Sequence, residues 1–281
     1  MTSTQQTRKP ELSIIITSYK NPSVLQLCLE SLEKNVFCEN FEILVLDSST
    51  GENTEMMMRE EFPEIKFFPH EDNLGFLGLV NEGIENAKGD YFLILNDDIV
   101  IKKNSADILL DYLRNNPSAG IVGPKLLNFD GRFQFSCFRF YTPLIILYRR
   151  TFLGKFKFAQ KKIDHFLYKD RGHDKIMDVD WVMGSAMMTS RKAVEKVGLM
   201  DRAFFMYFED VDWCRRFWEN KYKVVYFPYA QMFHYHRKGS ASQSLMKAAL
   251  NSLTRSHIRS VVKYFWKYRG KPNPHQEEYE H

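Results

Sequence analysis

An α/β fold with a mostly parallel sheet between helices is predicted by three observations. Short apolar runs alternate with segments of helical period through the first half of the chain, the signature of strand–helix–strand units. Three of those runs end in small polar or acidic residues: Thr17-Ser18-Tyr19, Asp47-Ser48-Ser49 and Asn96-Asp97-Asp98. The runs are apolar without alternation, as strands covered on both faces are.

The elements follow in order. Leu12–Ile16 is a β-branched strand, and Asn21-Pro22 starts a helix in which Val24, Leu25, Leu27, Cys28, Leu29 and Leu32 recur at helical spacing. Phe41–Leu46 is a second strand, Thr54–Glu61 a short helix and Ile65–Phe68 a third strand. A loop, Asn73-Leu74-Gly75-Phe76, leads to a helix over Leu79–Ala87 that Gly89 stops. Tyr91–Leu95 is the fourth strand, Ala106–Asn115 a helix, and Ile121–Pro124 another short strand. From Asp130 to Lys175 the chain is rich in Phe, Tyr, Arg and Lys and lacks steady periodicity. That region is either a set of loops and short helices covering a site or a surface insert. An apolar pattern resumes over Asp178–Met188, with Trp181 and Gly184 inside it, followed by a short helix over Arg191–Val197. Aromatics from Phe204 lead into Glu209-Asp210-Val211-Asp212 at the start of a helix running to Asn220; Lys223–Phe227 is a strand, Gln231–His236 is extended, and Leu245–Trp266 is a long amphipathic helix.

With 281 residues, 44% of them hydrophobic, the chain can bury a large core as one domain with an extension. No apolar run approaches bilayer-spanning length, and Met1–Pro10 has no apolar leader core. A cytoplasmic protein is expected, with positions 1–10 disordered. Cys28, Cys38, Cys137 and Cys214 show no paired spacing, so neither a disulfide frame nor a zinc site is expected. The net charge of +4 is unevenly placed: from Arg237 to Lys271 every charged residue is basic. The whole is no nucleic-acid binder, but its end carries a cationic face.

Carboxylates at the carboxyl end of a buried strand sit where open α/β sheets bind ligands. The Asn96-Asp97-Asp98 cluster therefore suits a divalent cation carrying phosphate oxygens, or else is a polar turn. Glu209, Asp210 and Asp212 are acids at a helix start, where negative charge is favourable in any case.

The ordered set of these pieces resembles the family 2 glycosyltransferases of the GT-A type, and within them the bacterial rhamnosyltransferase-like branch. The matching pieces are Ile14–Tyr19, Val45–Ser49, Asn73–Phe76 with Asn81, and Gly89–Asp98, then Trp181–Gly184, Phe208–Trp213 and the His234/His236 stretch before Gly239-Ser240. They cover roughly residues 11–240: a nucleotide-binding part over about 11–124 and an acceptor-binding part over about 125–240, with 241–281 as a basic helix and tail. The resemblance implies an inverting transfer from a nucleotide-diphosphate sugar, dTDP- or UDP-linked, aided by Mn2+ or Mg2+. Rhamnose is the sugar the branch suggests, and a glycan or lipid-linked glycan of bacterial surface polysaccharide the acceptor. It implies that Asp47 binds base or ribose, with Ser18 and Tyr19 lining the same pocket and Asn73, Gly75 and Asn81 forming a loop over the nucleotide. Asn96 and Asp97 join this donor set. Asp98 touches the metal, with His234 or His236 completing its shell. Asp210 is the general base, supported by Glu209, and Trp181 and Gly184 shape the acceptor side. The family often has Asp where this chain has Asn96, so a weaker hold on metal is expected.

Two other readings compete. One is an inactive nucleotide- or glycan-binding relative. The other is a nucleotidyltransferase, which would want a Gly-rich basic loop where Thr17–Pro22 stands. The C-terminal helix sets Met246, Leu250, Leu253, His257, Val261 and Phe265 along one side, and Lys247, Arg255, Arg259, Lys263 and Lys267 along another. Over 241–271 it either lies on an anionic membrane surface, making the protein peripheral on the inner face of the cell membrane, or packs on the catalytic domain or a second subunit in a homodimer.

Overall fold

A computed structural model describes residues 9–235 and 252–275. Strands β1 (Leu12–Tyr19), β2 (Phe41–Ser48), β3 (Lys66–His70) and β4 (Tyr91–Asn96) alternate with helices α1 (Pro22–Asn35), α2 (Glu52–Glu61) and α3 (Gly75–Asn86). They pair in parallel in the order β3-β2-β1-β4. Residue alternation explains why both strand faces are apolar. Ile15, Leu46, Phe92 and Ile94 pack into one core with α3, while Ile14, Ile16, Leu93 and Leu95 pack into a second with α1 and α4 (Ser105–Asn115). α3 begins four residues before the expected helix, because Gly75 takes φ +68 and turns the loop directly into it.

Beyond β4 the sheet changes character. A short strand β5 (Ile99–Ile101) follows, then β6 (Ala119–Leu127), longer at both ends than its apolar centre suggests. β11 (Ala186–Ser190) runs antiparallel between β4 and β6, and β12 (Lys223–His234) lies parallel to β6 and antiparallel to β5. The two extended segments expected at Lys223–Phe227 and Gln231–His236 are thus one strand with an irregularity between Phe227 and Gln231, followed as far as His234.

The aperiodic stretch from Asp130 to Lys175 is largely structured. Two-residue strands β7 (Phe133–Gln134) and β8 (Cys137–Phe138) lead to α5 (Pro143–Arg150), a 3-10 turn (Phe152–Lys155) and α6 (Lys157–Phe166). β7 joins the edge of β6, β9 (Met177–Asp178) pairs with β12, and β10 (Trp181–Val182) pairs with β8. α7 (Arg191–Val197) and α8 (Glu209–Glu219) complete the face that carries α3.

The last described helix, α9 (Ser252–Lys267), packs against the segment that leads into α8. Tyr264 and Ser260 are buried in that contact, Ser260 Oγ donates to Met206 O, and the Tyr264 ring lies 5.1 Å from Phe208. Of the expected apolar side, His257, Val261 and Phe265 are half-buried there. Of the expected cationic stripe, Lys263 donates to Ala203 O and Lys267 bridges Asp201 and Asp212, whereas Arg255 and Arg259 are exposed. Met246, Lys247 and Leu250 lie outside the described residues. Asp212 is fully buried and spends both oxygens here: Tyr268 Oη donates at 2.8 Å to one and Arg216 Nε at 2.9 Å to the other. His275 fastens the end of the described chain, stacking on Trp218 at 4.0 Å with Nδ1 2.7 Å from Asp180.

Candidate active site

Strand register brings the polar strand ends together. Ser18 stands beside Asp47, and Thr17 beside Asn96. The three polar termini predicted from sequence therefore share one edge of the sheet. At that edge Asp47 is fully buried, and neither carboxylate oxygen has a hydrogen-bond partner. Burial pushes its pKa up, opposed in part by Ser18, Thr50 and His70 nearby. A buried carboxylate left unsatisfied is costly, and such a group is an acceptor waiting for donors from a ligand. Tyr19 is exposed beside it.

The acidic turn after β4 divides its labour. Asn96 Oδ1 accepts from Thr17 Oγ1 at 3.2 Å, while Asp97 turns into the protein, accepting from Ser18 Oγ at 3.0 Å and lying 3.4 Å from Tyr19 N. Burial and the Asp98 carboxylate together push Asp97 up to about 7. Asp98 faces the other way. Antiparallel pairing of β5 with β12 sets His234 opposite Ile99, so His234 Nε2 comes 3.4 Å from Asp98 Oδ1. That Oδ1 is buried without a hydrogen-bond partner. His234 Nδ1 is 3.1 Å from Gln134 Oε1, a contact that orients the ring with Nε2 toward Asp98. A metal-ligating histidine is commonly oriented in this way.

No cluster of three or more metal-ligating side chains exists among the described residues. His236, the alternative ligand, lies outside them. The Asp98–His234 pair fits a cation that takes most of its oxygens from phosphate and water, as Mg2+ does.

Gly184 links this edge to the acid pair on α8. Asn96 N donates to Ser185 O, and the preceding Gly184 N donates at 3.0 Å to Asp210 Oδ2. A Cβ on Gly184 would stand 3.0 Å from the Phe76 ring and 3.4 Å from Asp210 Cβ, so the close approach depends on glycine. Val211 N donates to the other Asp210 oxygen at 2.8 Å. The pair is presented by a strained entry: Tyr207 and Phe208 both have left-handed backbones, φ +67 and +70. Burial raises the pKa of Asp210. Burial, reinforced by the Asp210 carboxylate, raises Glu209, whose Oε2 has no hydrogen-bond partner.

The raised Glu209 gives a stability prediction. The folded chain holds on Glu209 a proton that the unfolded chain releases above about pH 4. This contribution to stability is full below that pH and is lost as pH rises through the folded value. Glu209→Gln should therefore melt higher than the parent at about pH 9, with the gap closing toward about pH 4. Thermal melts of both proteins across that range check it; a gap independent of pH would mean that Glu209 is not held protonated.

Other expected residues act at one remove. Asn73 Oδ1 accepts from Gly75 N, closing the turn that starts α3, and the Phe205 carbonyl would lie only 3.0 Å from a Cβ on Gly75. Asn81 is buried and clamps Met200 through both its backbone N–H and carbonyl. Trp181 lies in an aromatic stack, 4.4 Å from Phe138 and 5.6 Å from Tyr141, with its indole N–H donated to Arg139 O. Sequence reasoning missed Gln134 and Tyr141. Both fall in the aperiodic region, where no spacing pointed to them.

Comparison with known proteins fits this arrangement. The family model for glycosyl transferase family 2 matches residues 13–198. The chain belongs to glycosyltransferase family 2. Asp210 and His234 lie beyond the matched span, on the elements that complete the sheet. An N-acetylglucosaminyl-diphospho-decaprenol L-rhamnosyltransferase of Mycobacterium tuberculosis is 28% identical over 204 residues, covering 69% of this chain and 66% of that protein. The rhamnosyltransferase WbbL of Escherichia coli K12 is 25% identical over 270 residues, 91% of this chain and 93% of its own. Among solved structures, GalNAc-T7 with UDP, GalNAc and Mn2+ superposes with a TM-score of 0.65 at 14% identity, over 92% of this chain and 50% of that one. The shared fold is GT-A, a mixed, mostly parallel sheet flanked by helices.

Proposed function

We propose that this family 2 chain transfers a sugar, rhamnose in the first instance, from a dTDP- or UDP-linked donor to a hydroxyl of a glycan or lipid-linked glycan, inverting the anomeric carbon. The observation that carries this reading is the Gly184 link, which joins the half-buried Asp210 and the buried Glu209 to the strand edge holding Asp47 and the Asp98–His234 pair. Asp47 accepts hydrogen bonds from the donor's base or ribose. Ser18, Tyr19 and Asn96 border that pocket, and Asn73, Gly75 and Asn81 shape the loop above it. Asp98 and His234 would hold the divalent cation, which offsets charge on the departing diphosphate. Asp210, oriented by two backbone N–H groups, takes the acceptor's proton as that oxygen bonds to C1 and the C1–O bond to phosphate breaks. Glu209, kept protonated, leaves Asp210 as the single charged base of the pair. Gly184 and the Trp181 stack form the acceptor wall. The names of the M. tuberculosis and E. coli relatives support rhamnose and a lipid-linked acceptor, and the exposed Arg255 and Arg259 of α9 suit work near an anionic membrane surface.

A panel of nucleotide sugars with a soluble glycan acceptor and Mn2+ tests the reading, with released nucleotide diphosphate as the signal. Nucleotide binding without turnover across the panel would instead favour an inactive binding protein. In the same assay Asp47→Asn should raise the donor KM by about ten- to a hundredfold while leaving kcat nearly unchanged, since it removes a charged acceptor used equally in the ground and transition states. A fall confined to kcat would remove Asp47 from the donor pocket.

A further inference from the structure

The hairpin of α5, the 3-10 turn and α6 exposes apolar side chains that a water-facing surface does not call for. Phe152 is 71% exposed, Phe158 60%, Leu144 56%, Phe156 49% and Leu147 43%. Single exposed apolar residues are ordinary, but five in fifteen positions form a patch that marks an interaction site. Its backbone is built to hold them there. Thr142 and Thr151 cap the two turns, accepting from Ile145 N and Leu153 N. Gly154 sits so close to the Tyr148 carbonyl that a Cβ would lie 2.2 Å from it. The Phe156 and Phe158 rings stack on each other at 5.8 Å.

The charge around the patch names the partner. Between Asp130 and Asp164 every charged side chain is basic. Lys155, Lys157, Lys161 and Lys162 are exposed, and none has a carboxylate partner among the described residues. Interleaved aromatics and lysines on a rigid, exposed hairpin match the interfacial zone of an anionic bilayer, where rings enter the headgroup layer and lysines meet lipid phosphates. A second copy of the chain would instead have to meet this cationic face with its own.

We propose that the α5–α6 hairpin docks the protein on an anionic lipid bilayer. The hairpin's root lies against the candidate catalytic pair: the Tyr141 ring is 4.9 Å from Phe208, which precedes Glu209, and Arg149 donates to Tyr141 Oη at 3.1 Å. Arg150 Nη2 lies 3.3 Å from His257 Nε2, joining the hairpin to α9, whose outer side exposes Ile258, Val262 and Trp266. Docking here sets the acceptor side of the cleft at the lipid surface, a placement whose purpose rests on the lipid-linked acceptor proposed above.

Sedimentation with vesicles needs neither donor nor acceptor, so it fails independently of the transferase reading. The full-length protein should bind phosphatidylcholine vesicles containing about a third phosphatidylglycerol, and weaken as salt rises. It should not bind phosphatidylcholine alone. Phe152→Ser/Phe158→Ser, and separately Lys155→Glu/Lys157→Glu, should each lower binding by at least about tenfold while melting like the parent. Phe152→Trp, which keeps the ring, should bind, shift its emission to the blue and be quenched by brominated lipid. Unchanged binding by the serine pair, no binding by the parent at low salt, or loss only with Trp266→Ser in α9 would each overturn the proposal. So would a parent dimer that the serine pair converts to monomer without any vesicle binding.

Discussion

Replacing Asp98 by alanine is expected to abolish sugar transfer, by about a thousandfold or more, while the protein stays folded. The loss follows from what the residue faces. Its buried Oδ1 has no hydrogen-bond partner and lies 3.4 Å from His234 Nε2, so alanine breaks no hydrogen bond at that oxygen and gives up only the contact with His234. Its structural bond, from Tyr235 N to the Asp98 carbonyl, is backbone and survives the substitution. What is lost is a charge used only when a diphosphate and its cation are present, an interaction worth several kcal/mol to the transition state. The measurements are donor turnover against Mn2+ concentration and a thermal melt. A variant with near-parental turnover and the same metal dependence would remove Asp98 from the site.

Asp210→Asn is expected to lower turnover by about a hundred- to ten-thousandfold, the usual range for a general base. Donor binding measured by calorimetry should persist. The substitution is nearly isosteric but not silent in the fold. Asp210 accepts from Gly184 N and Val211 N, one on each oxygen, and asparagine has a single acceptor oxygen. One N–H therefore loses its partner, at a cost of about 1–3 kcal/mol, and the variant should melt lower than the parent. If donor affinity collapses while turnover per bound donor is kept, Asp210 is a binding residue and the assignment of the base is wrong.

The half of the sheet from β1 to β4 was legible because each of its signals is local. A strand, its polar end and the following helix lie within thirty or so residues of one another, and parallel pairing then aligns Ser18, Asp47 and Asn96 without further information. The acid pair at Glu209-Asp210 was legible as chemistry but not as a position. Its place depends on Gly184, more than twenty residues upstream, and on β11 lying antiparallel beside β4. The same limit hid Gln134: nothing near it in sequence announces that a two-residue strand on β6 will carry it to His234. Asp212 was the opposite case. Sequence set it in the same acidic helix start as Glu209 and Asp210 and gave it no role of its own; its two oxygens are committed to Arg216, Tyr268 and Lys267, so it anchors α9 to α8. Grouping by spacing could not separate an acid that faces the cleft from one two residues later that faces the other side of the same helix.

The position of β11 has a consequence for how the chain reaches this state. β1 to β4 can assemble as soon as Asn96 is made, since β1, β2 and β3 pair in succession and β4 closes on β1. β4 then keeps an unpaired, wholly apolar edge at Phe92–Leu95 until Ala186–Ser190 arrive to fill the gap before β6. An open edge of that kind invites pairing with another chain. The nascent protein is thus most prone to aggregate during the interval in which β1 to β4 are complete and β11 has not yet been synthesised. Chains ending before Ala186 should collect in the insoluble fraction even though their first four strands are intact.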